Sequence, residues 1–157
     1  RENAENAIQN EFGYSSKLSF KKYELSDSIK DSIEMRVKQG FYSDFVYTWV
    51  ISVKDSITGF ALLDNVKGKT MPITFLTMFD TGEKLVNASI LKYREPIGGD
   101  VGRKYWLNQF LGKTAKSAFD DIDGISGATI SVNSVTKGIQ KLTLLLNGIK
   151  SDLITDE

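Results

Sequence analysis

Residues 44–54 read DFVYTWVISVK and alternate with a period of two. Phe45, Tyr47, Trp49, Ile51 and Val53 share one face, and Val46, Thr48, Val50 and Ser52 share the other. Aromatic and β-branched side chains at that period make a strand. Downstream, Thr58-Gly59 leads into a second apolar run, Phe60 to Leu63, and residues 70–79 (TMPITFLTMF) form a third. Asp80-Thr81-Gly82 reads as the hairpin turn into a fourth run, Lys84 to Tyr93. Pro72 cannot donate a ladder hydrogen bond, so it belongs at a strand's beginning or on an edge. Upstream, residues 17–25 (KLSFKKYEL) alternate imperfectly and add a strand. Strands joined by short turns pair antiparallel, and the expected sheet has about four to six of them.

Helical patterns flank this meander. Arg1 to Phe12 fits a short helix. Ser26, with Asp27 behind it, opens a second helix through Gln39, with Ile29, Ile33 and Val37 one turn apart and Gly40 as the stop. After the loop Arg94-Glu95-Pro96-Ile97-Gly98-Gly99-Asp100, a helix is expected over Arg103 to Leu111, with Tyr105, Trp106, Phe110 and Leu111 as its apolar members. The last helix has the clearest pattern: Val132, Val135, Ile139, Leu142, Leu146 and Ile149 keep a 3–4 spacing over about five turns. Helices flanking a meander give an α+β fold with a long C-terminal helix. The 157 residues fit a single domain, 1–157, and residues 1–45 match no motif, which leaves them a structural or partner-directed role.

Composition removes several kinds of chemistry. Lys and Arg number 20, as do Asp and Glu, so nothing in the charge points to nucleic acid. There is no His and no Cys. Ser-His-Asp and Cys-His catalysis, thiol redox chemistry and Cys/His zinc sites are thereby excluded. Electron or group transfer by such a chain rests on a cofactor. No stretch approaches the roughly 20 apolar residues of a membrane span. The chain begins at Arg1, without an initiator Met, which leaves an upstream signal peptide or anchor open.

Just before the last helix stands Asp123-Gly124-Ile125-Ser126-Gly127-Ala128-Thr129. Two readings are open on the residues alone. Ser, Gly, Thr and Asp are what turns and helix starts use, and Ser131 or Asn133 would serve as a plain N-cap. Alternatively, the unpaired N–H groups and positive end of the helix hold a phosphate, with Gly124 and Gly127 clearing room for a bulky ligand and the Thr hydroxyl bonding or esterified to it.

The string DGISGAT, continued by ISVNSV, resembles the attachment motif of the FMN-binding domain family, which includes flavin-bearing subunits of sodium-translocating NADH:quinone reductases and related electron-transport complexes. Five specified residues at fixed spacing arise by chance in about one chain of this length in several thousand. The similarity runs from roughly Ile57 to Ile149, with 57–149 as the family-like core. The resemblance implies an electron-transfer flavoprotein domain in which a flavin transferase has moved FMN from FAD onto Thr129 as a phosphoester. Asp123, Gly124, Ser126, Gly127 and Ala128 would then shape and present the turn. Glu95, Gly98 and Gly99 match the family's Glu-turn position and would border the flavin, although the usual Thr-Pro-Gly-Leu-Gly after the Glu is here Pro-Ile-Gly-Gly-Asp. Another departure is Gly68-Lys69-Thr70-Met71-Pro72, where the family has a glycine-rich approach to a strand.

Trp106, with Tyr93 and Phe110, offers an aromatic face to the ring or, as helix aromatics more often do, fills the core. Arg103, Lys104 and Lys113 are candidates for balancing phosphate or ring charge. The resemblance further implies redox partner proteins or a membrane electron-transport complex and an extracytoplasmic setting, reached by an N-terminal signal or anchor. It also implies that protein made without a transferase is empty. The rival readings are a domain holding FMN noncovalently and a flavin-free interaction domain of an exported or membrane-associated complex.

Overall fold

A computed structural model describes residues 1–155. Five strands form one antiparallel meander in the order β1-β2-β3-β4-β5: β1 (Lys17–Glu24), β2 (Phe45–Val53), β3 (Ser56–Lys67), β4 (Pro72–Phe79) and β5 (Leu85–Lys92). Pro72 is the first residue of β4, where no ladder donor is asked of it. The helices are α1 (Glu2–Phe12), α2 (Asp27–Val37), α3 (Lys104–Leu107) and α4 (Thr129–Thr155). The α+β meander with a long last helix is as the sequence implies. Among the described residues no helix is long and apolar enough to cross a membrane.

Both faces of the sheet are covered, which is why β2 has large side chains on each. Trp49 and Ile51 pack with Ala4 and Ile8 of α1. Val46 and Val50 face the other way, into the larger core built with α2 and α4. Trp49 is fully buried, and its Nε1 donates to Glu5 Oε2 at 2.9 Å, tying α1 to the sheet. All six apolar positions that define the helical pattern of α4 are buried. Gly138 brings the helix close, since a Cβ there would lie 2.6 Å from Val66 Cγ1 and 2.8 Å from the Phe75 ring. Residues 1–45 are built into this layer structure, supplying an edge strand and one helix to each face.

Several boundaries differ from the sequence pattern. The β2–β3 turn is at Lys54-Asp55, both with positive φ (52° and 67°), so β3 starts at Ser56 and not beyond Thr58-Gly59. Two left-handed residues match the twist of a hairpin, and an Asp tolerates the conformation better than most side chains. Ser26 Oγ accepts from Ile29 N at 3.2 Å as the α2 cap, but the helix closes at Lys38 (φ 63°) and not at Gly40. The segment Arg103 to Leu111 is no single helix: α3 ends at Leu107 and Asn108–Phe110 tighten into a 3₁₀ turn. The hairpin after β4 closes with Asp80 Oδ1 accepting from Gly82 N and Lys84 N, each at 2.9 Å, while Glu83 takes the positive φ.

One polar pair lies beneath α4. Asp64 on β3 is 4% exposed and Lys141 on α4 is 1% exposed. Burial pushes the Asp64 carboxyl up to about 6, against the pull of the Asn65 N–H and the Lys141 charge. Burial likewise brings Lys141 down to about 8, while its Nζ donates to Gly40 O at 2.6 Å. A carboxyl whose folded pKa lies above its unfolded value makes its stabilising contribution at low pH and loses it as pH rises. Asp64→Asn removes this titration. Between about pH 4 and pH 6 the variant should gain up to about 3 kcal/mol relative to wild type. Urea unfolding at pH 4.5 and pH 7 checks this, and parallel stability profiles would refute it.

Candidate functional site

The loop after β5 and the start of α4 meet because of how β4 and β5 pair. The register Thr74↔Lys92 carries residues 70–72 opposite 94–95 just beyond the ladder. Glu95 uses that proximity. Its Oε1 accepts from Thr70 N at 3.3 Å and Met71 N at 3.4 Å, and Arg94 Nη1 donates to Pro72 O at 2.6 Å. Gly68 leaves the space, because a Cβ there would collide with Glu95 Oε1 and lie 2.8 Å from Met71 O. Partial burial pushes the Glu95 carboxyl up, but backbone N–H groups of Thr70, Met71 and Lys69 outweigh it and hold the group below its ordinary value. Glu95 is therefore an ionised latch on the 68–71 turn.

Tyr93 makes the second connection. Its hydroxyl donates to Ile97 O. A phenol has one proton to give, so Ser131 Oγ donates in turn to the Tyr93 oxygen, 2.8 Å away. This chain joins the end of β5, the 95–98 loop and the first turn of α4. Gly98 has φ 94°, and a Cβ on it would strike the Tyr93 hydroxyl and approach Ser131 Oγ to 2.8 Å. Only glycine satisfies both demands.

The heptapeptide is held at each end. Trp106 Nε1 donates to Asp123 O at 2.7 Å, and Asp123 N donates to Gln109 Oε1 at 2.8 Å. Trp106 is buried and packs edge-to-face on Phe110 at 5.3 Å, so its work is to anchor the start of the motif from the core. At the other end, Ala128 N donates to Ile125 O at 3.0 Å across a tight turn, with Gly127 at φ 81°. A positive φ at the third residue of such a turn favours glycine. Gly124 differs: it has no positive φ and nothing within 4 Å of where its Cβ would stand.

Val132 N donates to Ala128 O at 2.9 Å, which makes Ala128 the N-cap position of α4, not Ser131 or Asn133. Alanine has no side-chain oxygen with which to cap. The N–H groups of Thr129, Ile130 and Ser131 precede the first intrahelical donor and carry the helix's partial positive charge. Residues 127–131 line one wall of a cavity of about 500 Å³, and Lys69 with residues 95–98 lines the rest. That volume lies within the roughly 300–1,000 Å³ of small-molecule sites. Thr129 is exposed there, while Ala128 and Ser131 are buried behind it.

Of the residues singled out in the sequence, Glu95, Gly98, Gly127, Ala128 and Thr129 come together on this cavity. Asp123, Gly124, Ser126, Gly99 and Trp106 lie outside its lining. Phe110 is core, Arg103 pairs with Asp100 at 2.9 Å, and Lys113 pairs with Asp121 at 2.8 Å. Lys69, Tyr93 as a hydrogen-bond bridge and Ser131 as its partner were not evident from their own motif. The β4–β5 hairpin was the signal for Lys69, since pairing those strands brings 68–71 to Glu95.

Residues 68–143 match the family model described as FMN-binding domain. No curated protein matches the chain. The matched segment holds both walls of the cavity and the whole heptapeptide. An anion-accepting helix end, an exposed hydroxyl, a lysine and glycine-cleared backbone suit a flavin phosphate and ring.

Gly98→Ala should cost about 1–3 kcal/mol through strained φ and the collision with Tyr93. Tyr93→Phe should cost about 1–2 kcal/mol through its lost hydrogen bonds. Because the phenylalanine also removes the oxygen that the new methyl group strikes, the double variant should be less destabilised than the two costs added. Thermal or urea unfolding of the four proteins measures the coupling; strict additivity would contradict the contact.

Proposed function

Since residues 68–143 belong to the FMN-binding domain family, we propose that the protein is an electron carrier whose FMN is joined to Thr129 by a phosphoester bond. The observation that carries this reading is the position of Thr129. It is the exposed first residue of a 27-residue helix, at the end of DGISGAT and on the cavity wall. Bound FMN supplies the chemistry, taking up and returning one or two electrons. The protein's part is to hold, orient and polarise. First-turn N–H groups of α4 would hold the phosphate, whose charge the helix end would favour. The Gly127 turn aims the Thr129 side chain outward, and the Glu95 and Tyr93 links keep the opposite wall in register.

Attachment requires a second protein. The Thr129 Oγ–P bond forms as the pyrophosphate bond of FAD breaks, AMP departs with the electron pair, and the threonine proton goes to a base. The chain has no His or Cys to be that base. Glu95, the carboxylate on the cavity, is committed to backbone donors. A flavin transferase therefore supplies it. Covalent linkage has its clearest advantage outside the cytoplasm, where lost FMN is not replaced. The proposal accordingly puts the domain on the outer side of a bacterial membrane, behind an N-terminal signal or anchor, exchanging electrons with redox proteins of a membrane complex.

Intact-mass measurement after co-expression with a flavin transferase tests this. Wild type should gain one FMN phosphoester per chain and Thr129→Ala none. An adduct on the alanine variant overturns the assignment. Flavin released on denaturation identifies a noncovalent carrier, and no flavin in protein from its native host identifies an interaction module.

A further inference from the structure

Lys69 is the cation on the wall that faces the start of α4, and it stands where the sequence departs from a glycine-rich approach to β4. The other basic residues considered for charge balance are engaged elsewhere or lie off the cavity: Arg103 is on Asp100, Lys113 is on Asp121 and Ala118 O, and Lys104 is not among the lining residues. No ion pair or hydrogen bond of the Lys69 ammonium is found among the described residues. Its backbone is nonetheless fixed, because the 68–71 turn is fastened to Glu95 through the N–H groups of Thr70 and Met71. The neighbouring Glu95 charge is offset by those same donors. A lysine on a fastened turn, free of any carboxylate partner and lining a ligand cavity, keeps its charge available for a ligand.

We propose that Lys69 is the residue that sets the electrostatic preference of this site for the reduced flavin. The inference rests on the reading that FMN occupies this cavity from Thr129. On two-electron reduction the isoalloxazine takes two electrons from a redox partner and one proton from solvent, and so gains one negative charge. The phosphate charge is the same before and after. A cation carried on the fastened turn of the facing wall therefore interacts more strongly with the reduced ring than with the oxidised one, and raises the potential. At separations of several ångströms in a half-open cavity, one unit charge changes the ratio of the two forms by about tenfold. For a two-electron couple tenfold equals about 30 mV.

The test uses flavinylated protein, with the FMN adduct first confirmed by mass in every variant. Spectroelectrochemical titration against a low-potential dye then gives the midpoint potential. Lys69→Gln should lower it by about 30 mV, Lys69→Arg should hold it near wild type, and Lys116→Gln, outside the cavity, should leave it unchanged. The Lys69→Gln shift should also shrink at high salt, as expected of an exposed charge. Equal potentials in wild type and Lys69→Gln, with the adduct present in both, overturn this inference and leave the attachment reading intact. A wild type that carries no adduct overturns the attachment reading and this inference with it.

Discussion

The seating of α4 across the sheet, fixed at both ends of β5, holds the core and the site together. Near the C-terminal end of the helix, Asn147 Nδ2 donates to Glu83 Oε1 at 2.9 Å and Lys150 Nζ donates to Thr81 O, both on the turn that enters β5. At its start, Ser131 donates to Tyr93, just past the strand's exit. Ser131 to Lys150 rises about 28 Å at 1.5 Å per residue. Glu83 to Tyr93 spans about 33 Å at 3.3 Å per residue, less where the strand twists. Helix and strand thus match in length and are pinned at both ends. Between the pins, Val135, Ile139, Leu142 and Leu146 are fully buried against the sheet. The helix cannot slide without breaking both pins and uncovering that core.

Because α4 is immobilised in this way, its first turn is a reliable place to present a reactive group. Ala128 and Ser131 are buried on either side of an exposed Thr129. The 3.6-residue period alone explains this, since the first turn must turn one face to the sheet and the other outward. The facing wall is held by Glu95 gripping the 68–71 turn and by Tyr93 bonding Ile97 O, and Tyr93 ties it to α4 through Ser131. Two walls joined through Tyr93 leave a gap whose width the packing of α4 sets. A cofactor carrier benefits from such an arrangement, since charge transfer is least costly where the surroundings need not reorganise.

Much of the fold is legible in the residue pattern. The two-residue period of β2 and the 3–4 spacing in α4 are direct consequences of which faces are buried, and burial is what those periods record. Boundaries were less legible. Lys38 ends α2 in place of Gly40, and Lys54-Asp55 turn the first hairpin, because a helix C-cap and a two-residue hairpin take left-handed backbone that these side chains do not advertise. The helix expected over Arg103 to Leu111 is interrupted after Leu107, and there Trp106 and Gln109 are drawn to the backbone of Asp123. A periodic pattern cannot register such long-range hydrogen bonds.

The same division runs through the site. Residue type and local spacing are enough to show that catalysis through His or Cys is absent and that a helix begins near residue 129, and DGISGAT carries the resemblance to the FMN-binding domain family. It takes the folded chain for Trp106 to anchor the motif from the core, for Ser131 to bridge to Tyr93, and for Lys69 to share a cavity with Thr129. Each of those pairs is far apart along the chain and close in space. The antiparallel register of β4 with β5 and the lie of α4 on the sheet bring them together, and both are set by the burial of whole faces, to which no single motif is sensitive.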